Sequence, residues 1–225
     1  MKFLSIDSSS RSASAAVVSD GKVLGEFFVN NKLTHSQTLM KMVENLLNVT
    51  DTKISDITAI VVTNGPGSFT GIRIGIAAVK GLALGADKLC IPISSLEAIA
   101  YNFLGEEGII VANLDARQGQ VYNAIFRASA GRIERLTEDR AISAEKLKEE
   151  LLSYDNIILC GDGAYVIKEI CPEYKLSSEN KMYQRASSAA FAAAKALETG
   201  IGAECLVPKY LRLPQAERIR RKVDL

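Results

Sequence analysis

The stretch that most constrains this chain is Asn64-Gly65-Pro66-Gly67-Ser68-Phe69-Thr70-Gly71-Ile72-Arg73-Ile74-Gly75. The run before it, Ala59-Ile60-Val61-Val62-Thr63, is β-branched and apolar and reads as a buried strand. From Thr70 to about Lys88 the periodicity turns helical. Glycines at such a junction let backbone N–H groups at a helix start face an anion. An isolated Gly-Pro-Gly is more often a tight turn and nothing else.

The helix itself says more. At about 100° per residue, Ile72, Ile76, Val79, Leu82, Ala83 and Ala86 share one side. Gly71, Gly75, Ala78, Gly81 and Gly85 form the adjoining arc, and Arg73 and Lys80 a narrow charged edge. Each interior glycine costs about 0.8–1 kcal/mol against alanine, so Gly75, Gly81 and Gly85 together cost on the order of 3 kcal/mol. Close approach of another backbone is the usual compensation. Two readings follow: a core helix within its own domain, or a helix wedged between its sheet and a partner protein.

The chain has 225 residues, 48% hydrophobic and 24% charged, with formal net charge +1. That suits one large domain or two small ones of ordinary soluble composition. Near-zero charge argues against a protein that grips nucleic acid unaided over a broad surface. No apolar run is expected to reach the roughly 18–20 residues that cross a bilayer. Lys2 and Asp7 come too early for a secretion signal, so a cytoplasmic protein is expected. Cys90, Cys160, Cys171 and Cys205 make no CxxC pair and read as free thiols in a reducing compartment. His35 is the single histidine, which excludes a metal centre built on paired histidines of this chain. No GxSxG elbow accompanies it.

In order, residues 3–6, 13–19 and 22–29 read as strands, with Asp20-Gly21 as a hairpin turn. Asp7-Ser8-Ser9-Ser10 closes the first strand. In a nucleotide-binding lobe those groups would contact phosphate or its magnesium; a polar turn is the simpler reading. Thr34 and Gln37 fit a capping box opening a helix to Val49. That helix has a wide apolar arc, which suggests a second contact along Met42, Leu46 and Val49. A strand at 89–93 and a helix capped by Ser94 and Glu97 follow. Gly105 to Gly108 suggests a lobe boundary near residue 100.

Then the pattern restarts. Strands are expected at 109–114, ending at Asp115, and at 120–128 and 132–137. Next come a helix capped by Ser143 to about Ser153, with Ile142 and Leu147 as a staple, a strand at 156–160, the loop Gly161-Asp162-Gly163 and a further helix. Asp7 and Gly21 map onto Asp115 and Gly131. The expectation is a duplicated α/β unit: an N-terminal lobe over 1–100, a C-terminal lobe over 101–206 and a tail over 207–225. An alanine-rich helix spans about 187–198, Pro208 to Arg212 is extended, and Arg218, Arg220, Arg221 and Lys222 form a basic end.

The string GPGSFTGIRIG, with an opening IDSSS and a later LDAR, closely resembles the bacterial TsaB family over Phe3 to about Arg212. The central string is highly specific; the other pieces are weak singly. The resemblance implies an α/β, duplicated ribonuclease H-like two-lobe fold of the actin, hexokinase and heat-shock ATPase superfamily. It implies a non-catalytic subunit of the machinery that makes threonylcarbamoyladenosine, modifying N6 of adenosine 37 in tRNA. This subunit would bind and activate the catalytic subunit TsaD and meet TsaE and tRNA through that heterodimer. Without the partner the apolar helix face would be an exposed patch, so a homodimer through the same helices is expected of the isolated protein. The implied interface is the first two helices of the first lobe: Met42, Val43, Leu46 and Val49, with Gly71, Ile72, Gly75, Ile76, Ala78, Val79 and Leu82. The metal-binding H-x-x-x-H pair of TsaD does not carry over, because His35 stands alone and Lys32 and Leu39 are not ligands. No catalytic residue, metal or cofactor is therefore assigned to this chain. Asp7, Ser8 and Ser9 are the residues through which a weak ATP or ADP contact at the complex interface would run. Ser8 stands where relatives often have threonine, and Gln118 where they often have arginine. The alternatives are a stand-alone ATPase or small-molecule kinase using Asp7, Asp115 and the loops at 8–10 and 161–163, and a glycoprotease-type metallopeptidase.

Overall fold

Two sheets repeat one strand order. In the computed structural model, which describes residues 1–31 and 34–212, the first sheet runs β3-β2-β1-β4-β5. Its strands are β1 (Lys2–Asp7), β2 (Ala13–Ser19), β3 (Lys22–Val29), β4 (Ala59–Gly65) and β5 (Leu89–Ser94). The hairpin pairs β1–β2 and β2–β3 are antiparallel, while β1–β4 and β4–β5 are parallel. The second sheet places β6 (Gly108–Arg117), β7 (Gln120–Ser129), β8 (Arg132–Arg135), β10 (Ile157–Cys160) and β11 (Lys175–Leu176) in the order β11-β10-β6-β7-β8. A short strand, β9 (Arg140–Ser143), adds to β7. Each β1-like strand thus has a hairpin partner on one side and a parallel crossover strand on the other. This is the duplicated α/β unit expected from the repeated turn glycines and Gly loops, in the ribonuclease H-like arrangement that the resemblance implies.

Parallel neighbours require crossover helices, and α1 (His35–Val49) and α2 (Phe69–Ala86) supply them in the first half. Leu39, Met42, Val43 and Leu46 of α1 and Ile72, Ile76, Val79 and Ala83 of α2 are buried with Leu4, Ile6, Val17, Ile60 and Val62 of the sheet. In the second half α4 (Ala144–Leu151) and α5 (Ala164–Ile170) bury Leu147, Leu151 and Ile167 against Val111, Ile125 and Leu159. Ser143 Oγ accepts from the Lys146 N–H at 3.3 Å, and Ile142 packs with Leu147 in that core, as a capping staple requires.

Two further helices tie the sheets together. From α3 (Ser95–Ala100), Leu96 and Ile99 pack with Ile110, Ala112, Phe126 and Cys160 of the second sheet. From α7 (Ala186–Ala193), which the short helix α6 (Glu179–Met182) precedes, Ala186, Ala189, Ala190 and Ala193 pack with Phe3, Ala16, Val61 and Ile91 of the first. The first sheet's core is therefore not confined to residues 1–100. Small alanine side chains let α7 lie flat on a sheet already covered by α1 and α2 on its other face.

Several local expectations change. Thr34 makes no side-chain cap, since its hydroxyl meets Ser36 at 3.3 Å while its carbonyl takes the Gln37 N–H. Ser94 caps α3 by accepting the Glu97 N–H at 3.3 Å, but the Glu97 carboxylate turns away to Arg135. The strand expected over 132–137 stops at Arg135. The segments β9, β11 and α6 are too short to leave a periodic signature. The alanine-rich helix ends at Ala193 rather than near Glu198. Contrary to expectation, α2 is long and apolar enough to cross a membrane by length and composition, with mean hydropathy 1.4 over 18 residues. It packs instead on β4 and on the loop after β1. The basic end from Arg218 lies outside the described residues.

Candidate partner-binding face and sealed strand ends

The glycines of α2 and of the loop before it separate into two groups. A Cβ on Gly71 would run into the Ser8 carbonyl oxygen, one on Gly67 into the Ser9 carbonyl oxygen, and one on Gly75 into the Ser8 hydroxyl. These three are small because the loop after β1 lies directly against the start of α2. Ser8 Oγ donates to the Gly71 carbonyl at 2.9 Å and the Ser68 N–H donates to the Ser9 carbonyl at 2.7 Å. Among the described residues, Gly81 and Gly85 have nothing within 4 Å of an added Cβ, so nothing described there offsets their cost. We therefore expect Gly81→Ala and Gly85→Ala each to stabilise the isolated protein by up to about 1 kcal/mol. Gly71→Ala should destabilise it by roughly 1–3 kcal/mol, because backbone cannot move aside as a side chain can. Urea unfolding of the three variants checks this; equal effects would place α2 wrongly.

The second half seals its strand end in the same way. A Cβ on Gly161 would strike the Asn113 carbonyl oxygen, and one on Gly163 would sit 2.7 Å from the Leu114 carbonyl carbon. In both halves a glycine loop after the crossover strand presses on the end of the β1-like strand.

Asp7, Ser8 and Ser9 are 0%, 2% and 0% exposed, and each has a partner inside the chain. Asp7 Oδ1 accepts from Ser9 Oγ at 2.6 Å, from the Ser9 N–H at 3.2 Å and from the Thr63 hydroxyl. Gln184 Nε2 donates to Ser9 Oγ at 3.0 Å, and His35 Nε2–H donates to the Ser10 carbonyl at 2.7 Å. His35 thus anchors the start of α1 where the expected Thr34 cap is missing. Thr63 and Gln184 carry no motif by which sequence reading could have found them. Among the described residues Asp7 Oδ2 is buried without a hydrogen-bond partner. Burial pushes the Asp7 carboxyl above its ordinary value, against the opposing pull of the Ser9 and Thr63 hydrogen bonds. A carboxyl raised on folding favours the fold at low pH, and that contribution is lost as pH rises through the folded value. Asp7→Asn should abolish this pH dependence and leave the protein at least as stable at pH 7. Unfolding curves at pH 4 and 7 test it, and a loss of stability confined to neutral pH would show that the anion is the form the fold prefers. Asp115, its counterpart, is exposed, so the two carboxylates of the enzyme alternative have unlike surroundings. Among the described residues no three His, Cys, Asp or Glu side chains gather as a metal site would require.

The residues expected at a partner interface divide sharply. Val43, Leu46 and Ile72 are 1% exposed and Val79 is 0%, so all four belong to the chain's own core and present no surface. Met42, Gly71, Gly75 and Ile76 are buried as well. Ala78 and Leu82 are half-buried, and Val49 is 71% exposed. The wide apolar arcs come from packing on the sheet and between the two helices, which together bury most of each. What remains outward on α2 is Ala77, Gly81, Leu84 and Gly85, flanked by Ile74, Ala78 and Leu82; on α1 it is Met40 and Val49. Leu84 is 68% exposed, on a helix whose two charges lie at its edge: Lys80 donates to the Glu204 carbonyl at 3.4 Å and Arg73 to the Tyr210 hydroxyl at 2.9 Å.

The segment after Leu206 returns to this end of the sheet. The Lys209 N–H donates to the Asn64 carbonyl at 2.8 Å and Asn64 Nδ2 to the Val207 carbonyl at 3.2 Å, so the chain runs beside the end of β4. Gly65 is needed there, with φ +125° and the Lys209 carbonyl where a Cβ would be. Tyr210 stacks on Phe69 at 4.5 Å between centroids, with Arg73 3.8 Å over the other ring's centroid.

Residues 22–219 match the family model described as TsaD, tRNA N6-adenosine threonylcarbamoyltransferase. The tRNA threonylcarbamoyladenosine biosynthesis protein TsaB of Bacillus subtilis is 31% identical over 96% of this chain and 96% of its own length. The Escherichia coli protein of the same name is 35% identical over 67% of this chain and 65% of its own. A Pseudomonas aeruginosa structure, described as an uncharacterized protein with similarity to peptidase YEAZ, superposes with TM-score 0.81 at 24% identity, covering 94% of this chain and 99% of that one. It supports the fold alone. The chain belongs to the family of that transferase model and, by its match along nearly the whole length of the Bacillus protein, to the TsaB proteins.

Proposed function

We propose that this chain is the non-catalytic subunit of a cytoplasmic tRNA threonylcarbamoyladenosine synthesis complex, and that it binds and activates a TsaD-type transferase through the outward face of α2 and the adjoining part of α1. The observation that carries the proposal is the combination of Gly81 and Gly85, which relieve no contact within the chain, with the exposed Leu84 and Ala77 beside them. A smooth apolar helix face lets a second helix approach closely, and burying it would offset the stability the glycines forgo. The sealed loop after β1, with Asp7 and both serine hydroxyls already engaged, supports a subunit without chemistry of its own. Any ATP or ADP contact would then lie at the junction with the partner, and TsaE and tRNA would be met through the heterodimer. In isolation the same face should pair two copies of this chain.

Light scattering on the chain alone and mixed with the TsaD protein of the same organism tests this. We expect a homodimer that is replaced by a heterodimer, and threonylcarbamoylation of tRNA by TsaD and TsaE that depends on adding this chain. Two proteins that stay apart, or modification that proceeds equally without it, would overturn the reading.

A further inference from the structure

Four arginines stand around the open end of the two sheets. Arg212 Nη1 donates to the Ala116 carbonyl at 2.8 Å, which holds its guanidinium beside Arg117 at the tip of the β6–β7 hairpin. Arg11 follows Ser10 in the loop after β1. Ser10 Oγ donates to Gln184 Oε1 at 3.3 Å, and the carbonyl of Met182, two residues before Gln184, accepts the Gly161 N–H at 2.7 Å, so this loop lies at the same strand end. Arg73 reaches the group through Tyr210, two residues before Arg212. Arg11, Arg73 and Arg117 are exposed, and among the described residues none of the four is in an ion pair with a carboxylate. The neighbouring carboxylates are turned to backbone: Asp115 Oδ1 accepts the Arg117 N–H at 2.7 Å and Asp162 Oδ1 the Asp115 N–H at 3.0 Å. A chain with net charge of only +1 therefore concentrates unpaired cations on one rim.

We propose that this rim, formed by Arg11, Arg73, Arg117 and Arg212, contacts the phosphate backbone of the RNA on which the complex acts; the identity of that RNA rests on the function proposed above. Guanidinium groups are suited to phosphate oxygens. They are spread along an edge instead of converging on a pocket, and the loop of Ser8 and Ser9 beneath them is closed. That arrangement fits a polyanion lying across the rim better than the triphosphate of a free nucleotide. Contacts of this kind position an RNA without reading its sequence.

The test is fluorescence anisotropy of labelled tRNA with the chain alone and with its TsaD complex, comparing wild type with the R11E/R117E variant over a salt series. Among the described residues neither side chain makes a hydrogen bond that the substitution would remove, and Arg11→Gln with Arg117→Gln serves as a second, milder pair. We expect R11E/R117E to weaken tRNA binding roughly tenfold or more at low salt and the glutamine pair to lower the salt slope by about 2, with heterodimer formation unchanged. Unchanged tRNA affinity in an intact complex would overturn the rim and leave the proposed function standing. So would a variant that loses affinity for ATP and magnesium while keeping that for tRNA. If the chain fails to join TsaD, the functional reading falls, and the chain's own retention of tRNA, lost or kept in R11E/R117E, still decides the rim.

Discussion

Asp139→Ala is expected to lower the stability of the protein by about 3 kcal/mol, the lower end of the cost of breaking a buried ion pair. The Asp139 side chain is 0% exposed and holds three groups from three parts of the chain. Arg135 Nη1 from the end of β8 donates to Oδ1 at 2.7 Å, Ser94 Oγ at the end of β5 donates to the same oxygen at 3.0 Å, and Lys209 Nζ donates to Oδ2 at 3.3 Å. Removing the carboxylate leaves Arg135, three-quarters buried against Phe126, with Glu97 as its remaining anion. The lower end of the range applies because Lys209 is half exposed and regains solvent. Asp139→Asn keeps the shape and the Ser94 bond, so it should cost distinctly less. Urea midpoints of the two variants at pH 7 measure the difference. A loss below about 1 kcal/mol for the alanine variant would mean that water already screens the cluster. The same carboxylate joins the first sheet, the second sheet and the returning segment, so Asp139→Ala should also speed hydrogen exchange at Lys209 and Tyr210.

Much of this architecture is written in local pattern. Residues 59–63 and 70 to about 88 announce a strand and an apolar helix through periodicity, and the glycines between them announce the loop. The paired turns at Gly21 and Gly131 show that the unit is repeated. Asp139 is invisible by contrast, because its importance comes from partners 45 and 70 positions away that meet only in the folded chain. The return of residues 207–212 beside Asn64 is equally hidden, since it rests on backbone hydrogen bonds that leave no composition behind. The packing of α7 on the first sheet also eludes the sequence: an alanine-rich helix fits either sheet. The proposed partner face was legible only in part. A wide apolar arc records how much of a helix is covered, but not by what. Val43, Leu46, Ile72 and Val79 proved to be covered by the chain's own sheet and helices. Gly81 and Gly85 are the better signal for the proposed face, because helical glycines that need no positive φ and meet no close neighbour relieve no contact among the described residues.

That face carries the second large effect. Ala77 and Leu84 are exposed, so glutamate at both should leave the stability of the isolated protein within about 0.5 kcal/mol. Charged groups buried without partners at the centre of an interface are costly, and anchors at such a centre carry most of the affinity. Isothermal titration of the TsaD protein with wild type and with the A77E/L84E variant is the most direct test. The account predicts affinity weakened at least about a hundredfold, near 2.7 kcal/mol, with an unchanged unfolding midpoint; equal affinity of the two proteins would contradict it.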